Sequence, residues 1–380
     1  MEFTTRYIRS MVEWVAEQLG EWRGKVVVFS EPGVPLQIRE ESSPQPAHTE
    51  ILVQVEFAGV CGTDLHRLSG DLPPSSKPIC FGHEGVGVVV TMGSEFGTDW
   101  AGEALAAGDR VYWLPSTPCM HCAACQSANP LLCADLNWPV AAGGPNAACF
   151  REYATLKKAN TVYKIPKGTK PEDVIVFGCA MPTALRGFRR LGPIGPDDDV
   201  IIQGSGPVGL AATLLAHLAG ARNIIVIGDP PIRLEWARKL GATETLMLSR
   251  TTVEHRRMRV QQITKGVGAS VIIEAAGHPA AFPEGFDLLG RNGRYLILGL
   301  YSGQASTLID PVRINNLNLS IIGSLGIEAD TYRETIRIAT EHGQRLGFGD
   351  MVTHRFRIDE IEKAIKTIGS SEAVKVLVVP

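Results

Sequence analysis

Four of the eight cysteines in this chain fall within one short stretch, CMHCAACQSANPLLC: Cys119, Cys122, Cys125 and Cys133. The spacing C-x2-C-x2-C-x7-C lets neighbouring thiolates converge on one ion from a tight turn. The fourth closes a tetrahedron, the arrangement in which zinc sits about 2.3 Å from each sulfur. With every position filled by protein, no position is left for a substrate, so the expected role is structural. An iron–sulfur cluster is the rival, because bacterial ferredoxins also use two-residue gaps. Their fourth cysteine comes sooner and precedes proline. His121, inside the cluster, reads as exposed loop.

Two other stretches carry a different ligand set. GVCGTDLH (Gly59–His66) offers Cys61, and GHEGVG (Gly82–Gly87) offers His83. FGCAMPT adds Cys179 where the texture of the chain changes. Two thiolates, one imidazole and one open position make a catalytic zinc site. Either cysteine alone reads as core, since a lone buried thiol is a small hydrophobe. Cys80 and Cys149, outside every motif, read as core.

A third motif holds phosphate. GSGPVG places Gly204, Gly206 and Gly209 in G-x-G-x-x-G register, after the apolar run VIIQ and before VGLAATLLAHLAG. The first glycine permits the tight turn and the second lets backbone approach a pyrophosphate. The third lets helix pack on strand, and the phosphates meet the positive helix N-terminus.

These motifs need elements to position them. Up to about residue 180 the chain reads as short strands broken by Pro and Gly, among them KVVVFSEPG, EILVQVEFAGV and GVGVVVTMG. Beyond it, apolar runs and helical periods alternate from DDVIIQ through NIIVIGD, TETLML, ASVIIEAAG and GRYLILGL to LNLSIIGSL, which implies a doubly wound parallel sheet. The expected division is a catalytic domain at 25–180 and 325–380 and a dinucleotide-binding domain at 181–324. Residues 1–24 form a prefix in which Ile8, Met11, Val12, Val15, Leu19 and Trp22 recur at helical spacing, so an amphipathic helix is expected there.

Composition excludes several classes. Hydrophobic residues make up 44%, charged residues 20%, and the net charge is −3 without a basic run. Nucleic-acid and membrane-surface binding therefore have no support. No signal or transit peptide is legible, so a cytoplasmic location is expected, where clustered thiols bind metal and do not pair.

Together the motifs resemble the zinc-dependent medium-chain alcohol dehydrogenase family over about residues 25–380. The resemblance implies a β-rich GroES-like catalytic domain beside the Rossmann domain, and two zinc ions per chain. Cys61, His83 and Cys179 match the catalytic zinc ligands, and the four lobe cysteines match the structural ones. Thr63 matches the hydroxyl that takes the substrate proton, and His66 the last relay group to solvent. Asp64 matches the carboxylate that orients the zinc-bound histidine, and Glu84 the acid beside the metal. Thr183, Val208 and Leu300 match groups near the nicotinamide ring. Lys375 matches a basic residue at the pyrophosphate, and Arg233 a residue at the ribose. Gly62 departs from members that carry a basic residue there. The implied activity is hydride transfer between an alcohol or carbonyl substrate and a nicotinamide cofactor, in a homodimer or homotetramer. Reduction of a polarised double bond, or nucleotide binding without catalysis, are the alternatives.

The choice of nicotinamide cofactor turns on NIIVIGDPP. The position that binds the adenosine ribose diol falls on Gly228, with Asp229 one residue later. A glycine there leaves room for a 2′-phosphate, but Pro230 and Pro231 supply no cation and the Asp229 carboxylate repels the phosphate. NAD is favoured, with NADP the alternative.

Overall fold

The computed structural model describes residues 21–75, 77–127, 132–137, 139, 146–301 and 306–380. They fall into two compact units. The first holds the chain up to Ile175 with His354–Ile368 and Val376–Pro380, and the second holds Val176–Thr353 with Gly369–Lys375. Residues 1–20 of the expected N-terminal helix lie outside the described residues. Trp22, counted in that helix, belongs instead to a strand. Glu21–Phe29 pairs antiparallel with Gln37–Pro44 along nearly its whole length, and Trp22 is buried against Leu52. Helical spacing at the end of the prefix was outweighed by this partner strand, which sequence periodicity does not see.

In the first unit the strands are β1 (Glu21–Phe29), β2 (Gln37–Pro44), β3 (Glu50–Gly59), β4 (Ile79–Cys80), β5 (Gly85–Met92), β6 (Arg110–Trp113), β7 (Tyr153–Lys157) and β8 (Val162–Lys164). β1 lies between β2 and β4 in a three-stranded sheet. β3 is the spine of the larger sheet, pairing antiparallel with β5 and β7. After β6 the chain leaves for the cysteine lobe. Its root is held by Asn160, whose side-chain amide lies 3.1 Å from Pro115 O, 3.0 Å from Ser116 O and 3.2 Å from Thr117 Oγ1. Asn160 is buried, so these contacts satisfy an amide that would otherwise lose its water.

The second unit is the expected doubly wound sheet. Its strands are β9 (Asp199–Gln203), β10 (Asn223–Gly228), β11 (Glu244–Met247), β12 (Ala269–Glu274), β13 (Leu289–Ile297) and β14 (Ser320–Gly323), in the order β11-β10-β9-β12-β13-β14. Every neighbouring pair is parallel. β9 is buried at each position, which is why it reads as an unbroken apolar run after Asp199. The long helix Ala329–Leu346 also belongs to this unit, followed by Phe348, whose ring meets Phe177 edge-on at 5.1 Å. β15 (Val352–Arg357) and β16 (Lys375–Val379) complete the larger sheet of seven strands, where β16 runs antiparallel to β3 with Leu377 opposite Gly59.

Candidate active site and metal centres

In the first unit, Cys61 and His83 come together from two elements. Cys61 is the N-cap of the helix Gly62–Ser69, in extended backbone at φ −111° and ψ 155°. Asp64, three residues on, completes a capping box: its Oδ2 accepts the Cys61 N–H at 2.9 Å. Its Oδ1 stands 3.4 Å from His83 Nδ1. One buried carboxylate thus fixes the backbone of one donor and the ring of the other. With Nδ1 turned to Asp64, Nε2 is the free nitrogen for a metal. Gly82 sets the turn before His83. Its φ is +89°, and a Cβ there would lie 2.6 Å from Phe150 N, so only glycine fits.

The electrostatics match a ligand pair. Burial by itself lowers the pKa of His83. The charge of Asp64 and hydrogen bonds with Asp64 and Cys61 outweigh it and hold the imidazole well above its ordinary value. Burial raises the Asp64 carboxyl, against the pull of His83. Glu84 is buried, and a carboxylate oxygen of Glu84 lies within 4.8 Å of the Cys61 and His83 donor atoms. A thiolate, an imidazole and a carboxylate at this separation suit zinc. Cys179 stands in the second unit as the N-cap of the helix Ala180–Leu191, with its thiol partly exposed.

Thr63 comes two residues after Cys61, in the first turn of the helix, its Oγ1 3.6 Å from Cys61 Sγ. His66 is one turn on, about a third exposed. Its Nδ1 is 3.0 Å from Asp71 Oδ2. Asp71 was not foreseen, because it lies past the left-handed Gly70 that ends the helix. The Asp71 N–H also donates to His66 O at 3.0 Å, so the return of the chain is what brings the two side chains together.

The lobe brings Cys119, Cys122, Cys125 and Cys133 within 4.8 Å of one another. Cys119 Sγ is 3.9 Å and Cys122 Sγ 3.6 Å from Cys125 Sγ. A tetrahedron with arms of about 2.3 Å has edges of about 3.8 Å, so the cage fits a zinc ion. Backbone amides already aim at the sulfurs: Cys119 N–H lies 3.3 Å from Cys133 Sγ, and Cys122 N–H lies 3.4 Å from Cys119 Sγ. A backbone hydrogen bond at Cys125 lowers the Cys122 thiol to about 6, while burial pushes Cys125 up to about 12. His121 Nδ1 is bonded to Cys119 O at 2.8 Å and turns to the loop backbone, as its exposed reading implied.

The glycine turn is built as its spacing suggests. Gly204 takes φ +101°, and a Cβ on Gly209 would lie 1.9 Å from Gly204 O, so helix and strand touch there. A Cβ on Gly206 would meet nothing within 4 Å, which leaves open space at the N-cap of the helix Pro207–Leu218. No side chain caps that terminus, and Val208 sits in its first turn. Those amides fit a pyrophosphate.

At the end of β10 two serines stand beside the cofactor positions. The room beside Gly228 is not empty: a Cβ there would lie 2.5 Å from Ser205 Oγ, which donates to Asp229 O at 2.7 Å. Asp229 is held on both carboxylate oxygens. Its Oδ2 accepts Ser249 N–H at 2.8 Å, and its Oδ1 accepts Ser249 Oγ–H at 2.9 Å. Neither serine is visible as a partner in the sequence, since Ser249 comes from the turn after β11. Arg233, expected at the ribose, donates from Nε to Ala373 O at 2.8 Å. Thr183 Oγ1 donates to Cys179 O at 2.9 Å, Lys375 is buried, and Leu300 is 42% exposed.

Comparisons with known proteins agree with this chemistry. Residues 47–167 match the alcohol dehydrogenase GroES-like domain, and residues 207–341 match the zinc-binding dehydrogenase family. The chain is 40% identical to a 5-exo-hydroxycamphor dehydrogenase of Pseudomonas putida, over 87% of this chain and 91% of that one. It is 31% identical to an L-threonine 3-dehydrogenase of Paraburkholderia phymatum, over 90% and 95%. Among solved structures it resembles an alcohol dehydrogenase of Thermotoga maritima, with a TM-score of 0.86 at 30% identity, covering 94% of this chain and 100% of that one. A zinc-binding dehydrogenase of Sinorhizobium meliloti bound to NADP gives a TM-score of 0.80 at 28% identity, covering 94% and 100%. Matched over most of its length and carrying both thiolate sets in the expected order, the chain belongs to the zinc-dependent medium-chain alcohol dehydrogenases, oxidoreductases that act on alcohols with a nicotinamide cofactor.

Proposed function

We propose that this chain interconverts a secondary alcohol and its ketone, with one zinc ion held by Cys61, His83 and Cys179, a second in the lobe, and NAD as the preferred nucleotide. The observation that carries the reading is the buried Asp64 carboxylate, which fixes both Cys61 and His83 at once. Two relatives support the substrate class, since 5-exo-hydroxycamphor and L-threonine both carry a secondary hydroxyl.

Zinc would supply Lewis-acid polarisation of the substrate oxygen, and a bound nicotinamide cofactor would supply the hydride acceptor or donor. The chain does the rest. Asp64 keeps the His83 ring oriented with Nε2 towards the metal. Thr63, two residues on from Cys61, takes the proton of the substrate hydroxyl as it gives up its own. His66, partly exposed and paired with Asp71, passes it to solvent. Asp229 is a fixed negative charge at the end of β10, held through both oxygens by Ser249. A 2′-phosphate placed a few Å away meets a repulsion of about 1–2 kcal/mol even in a solvated site.

The same reading extends to assembly. β14 is the edge of the parallel sheet, and Leu308, Val312 and Leu325 near it in sequence are largely exposed. This favours a homodimer paired along that edge. A mass near 41.0 kDa by light scattering at micromolar concentration would contradict it.

The test of the activity is a set of paired alcohols of equal size, secondary against primary, assayed with NAD and with NADP on wild type and Asp229→Asn. The expected result is higher kcat/KM for the secondary member and for NAD, with the NAD preference falling about tenfold in Asp229→Asn. Preference for primary alcohols overturns the substrate class. A wild-type preference for NADP overturns the cofactor reading.

A further inference from the structure

Two loops at the carboxyl edge of the parallel sheet are fused in a way that packing does not require. β12 ends at Glu274 and β13 at Ile297, and residues 275–277 and 298–301 follow them. The loops meet backbone on backbone. Gly277 takes φ +64°, and a Cβ on it would lie 2.5 Å from Leu300 O. A Cβ on Gly299 would lie 2.3 Å from Gly277 N and 2.5 Å from Glu274 Oε2. Leu298 N–H and Gly299 N–H both donate to the Glu274 carbonyl, at 2.8 and 3.0 Å.

The side chain of Glu274 sits at the centre of this junction. It has no exposed surface. Its Oε1 accepts the N–H groups of Ala276 and Gly277, each at 2.7 Å. Its Oε2 is buried and faces the Tyr301 hydroxyl and the Gly299 backbone, whose hydrogen bonds favour the charged form. Burial raises the carboxyl's pKa against these amides. A carboxyl in such a place is costly, and an apolar residue would fill the space more cheaply.

Strand order says which part of the nucleotide these loops face. The order of winding reverses between β9 and β12, which run parallel. The glycine turn and Asp229 belong to the β9–β11 half, which takes the adenosine end. The β12–β14 half is left for the nicotinamide mononucleotide, at the carboxyl ends of its strands. Half-exposed Leu300 lies within the second loop.

We propose that Glu274 is a positioning residue for the nicotinamide end of the nucleotide: by tying 275–277 to 298–301 it fixes Leu300 and the backbone that the ring meets. The inference rests on the nucleotide-binding reading above and adds to it a residue that touches neither substrate nor cofactor.

The experiment uses the full-length, zinc-loaded protein and calorimetric titration with NAD and with ADP-ribose, which lacks the nicotinamide ring. NADP and its phosphorylated ADP-ribose replace them if wild type prefers NADP. Glu274→Leu should weaken NAD about tenfold or more and leave ADP-ribose within about twofold. Glu274→Gln keeps the Oε1 acceptor and should restore most of the NAD affinity. If Glu274→Leu does not fold, Gly299→Ala, which drives a methyl group into the same junction, should give the same split. Equal loss of both ligands, or no loss of either, overturns the proposal and leaves Glu274 a packing residue. Wild type that binds NAD no tighter than ADP-ribose also overturns it, because the ring then has no contact to position. Wild type that binds neither nucleotide nor fragment sinks the nucleotide-binding reading itself.

Discussion

The two thiolate-bearing centres are built in opposite ways. The lobe draws its four sulfurs from one short segment, and its supporting hydrogen bonds come from the same segment's backbone. The Cys61–His83 centre draws on a helix N-cap and on a separate turn before β5, and its support is the side chain of Asp64. A local cage needs little from the rest of the fold, so it suits an ion that stays put. A centre assembled across elements depends on the fold being right. In return its support is a carboxylate side chain, which can tune it.

The sharpest way to break this contrast is to remove one sulfur from each centre. Cys61→Ser should lose about a thousandfold or more in kcat/KM, the several kcal/mol a catalytic metal supplies, while melting within a few degrees of wild type. Cys122→Ser should do the reverse. About 3 kcal/mol of lost structural zinc should lower the Tm by about 6–12 °C, with residual activity per folded molecule near normal. Zinc analysis of each variant should find about one equivalent. Full activity in Cys61→Ser, or an unchanged Tm in Cys122→Ser, would erase the distinction.

A smaller effect isolates the carboxylate. Asp64→Asn keeps an oxygen for the Cys61 amide but turns an N–H donor towards His83 Nδ1. The ring must then change tautomer or rotate. Zinc affinity at this centre should fall about 10–100-fold, measured by competition with a chelator, and the lobe zinc should be untouched. Equal loss from both centres would mean that Asp64 holds the fold and not the metal.

Smallest is the response to acid. In the metal-free protein, Asp64 and hydrogen bonds raise His83 well above its ordinary value despite burial. The raised group holds its proton to higher pH, and that proton competes with zinc. As pH falls through the raised value, the competition grows and affinity drops. The lobe has no imidazole among its four donors. The lobe thiols take up protons too, Cys125 at about 12, but four protein donors hold that ion, so dialysis against a weak chelator at stepwise lower pH should empty the Cys61–His83 centre first. Loss from the lobe first would reverse the ordering.

The same contrast explains what could be read from the chain. The four lobe cysteines and the Cys61–His83 pair were legible because thiolates at fixed gaps, and a histidine in a glycine turn, announce themselves locally. The G-x-G-x-x-G turn was legible for the same reason. Asp71, Ser205, Ser249 and Glu274 were not. Each acts through a partner brought by chain reversal or by the next strand, and their residue types carry no pattern. Trp22 shows the opposite error, a helical spacing overridden by pairing with β2. At Gly228 the sequence could not show that Ser205 packs opposite, because room at a glycine depends on its neighbours in space.

The pairing of β16 with β3 sets an order of events during synthesis. Leu377 and Gly59 face each other from roughly three hundred residues apart, and the whole second unit is threaded between them. On the ribosome, β3 must wait with part of its hydrogen-bonding edge unfilled until almost everything else has emerged. The parallel sheet can close earlier, because all six of its strands lie in the intervening stretch. The unit that holds Cys61 and His83 is thus begun first and finished last. Its exposed strand edge is a stage at which a nascent chain is open to wrong pairing.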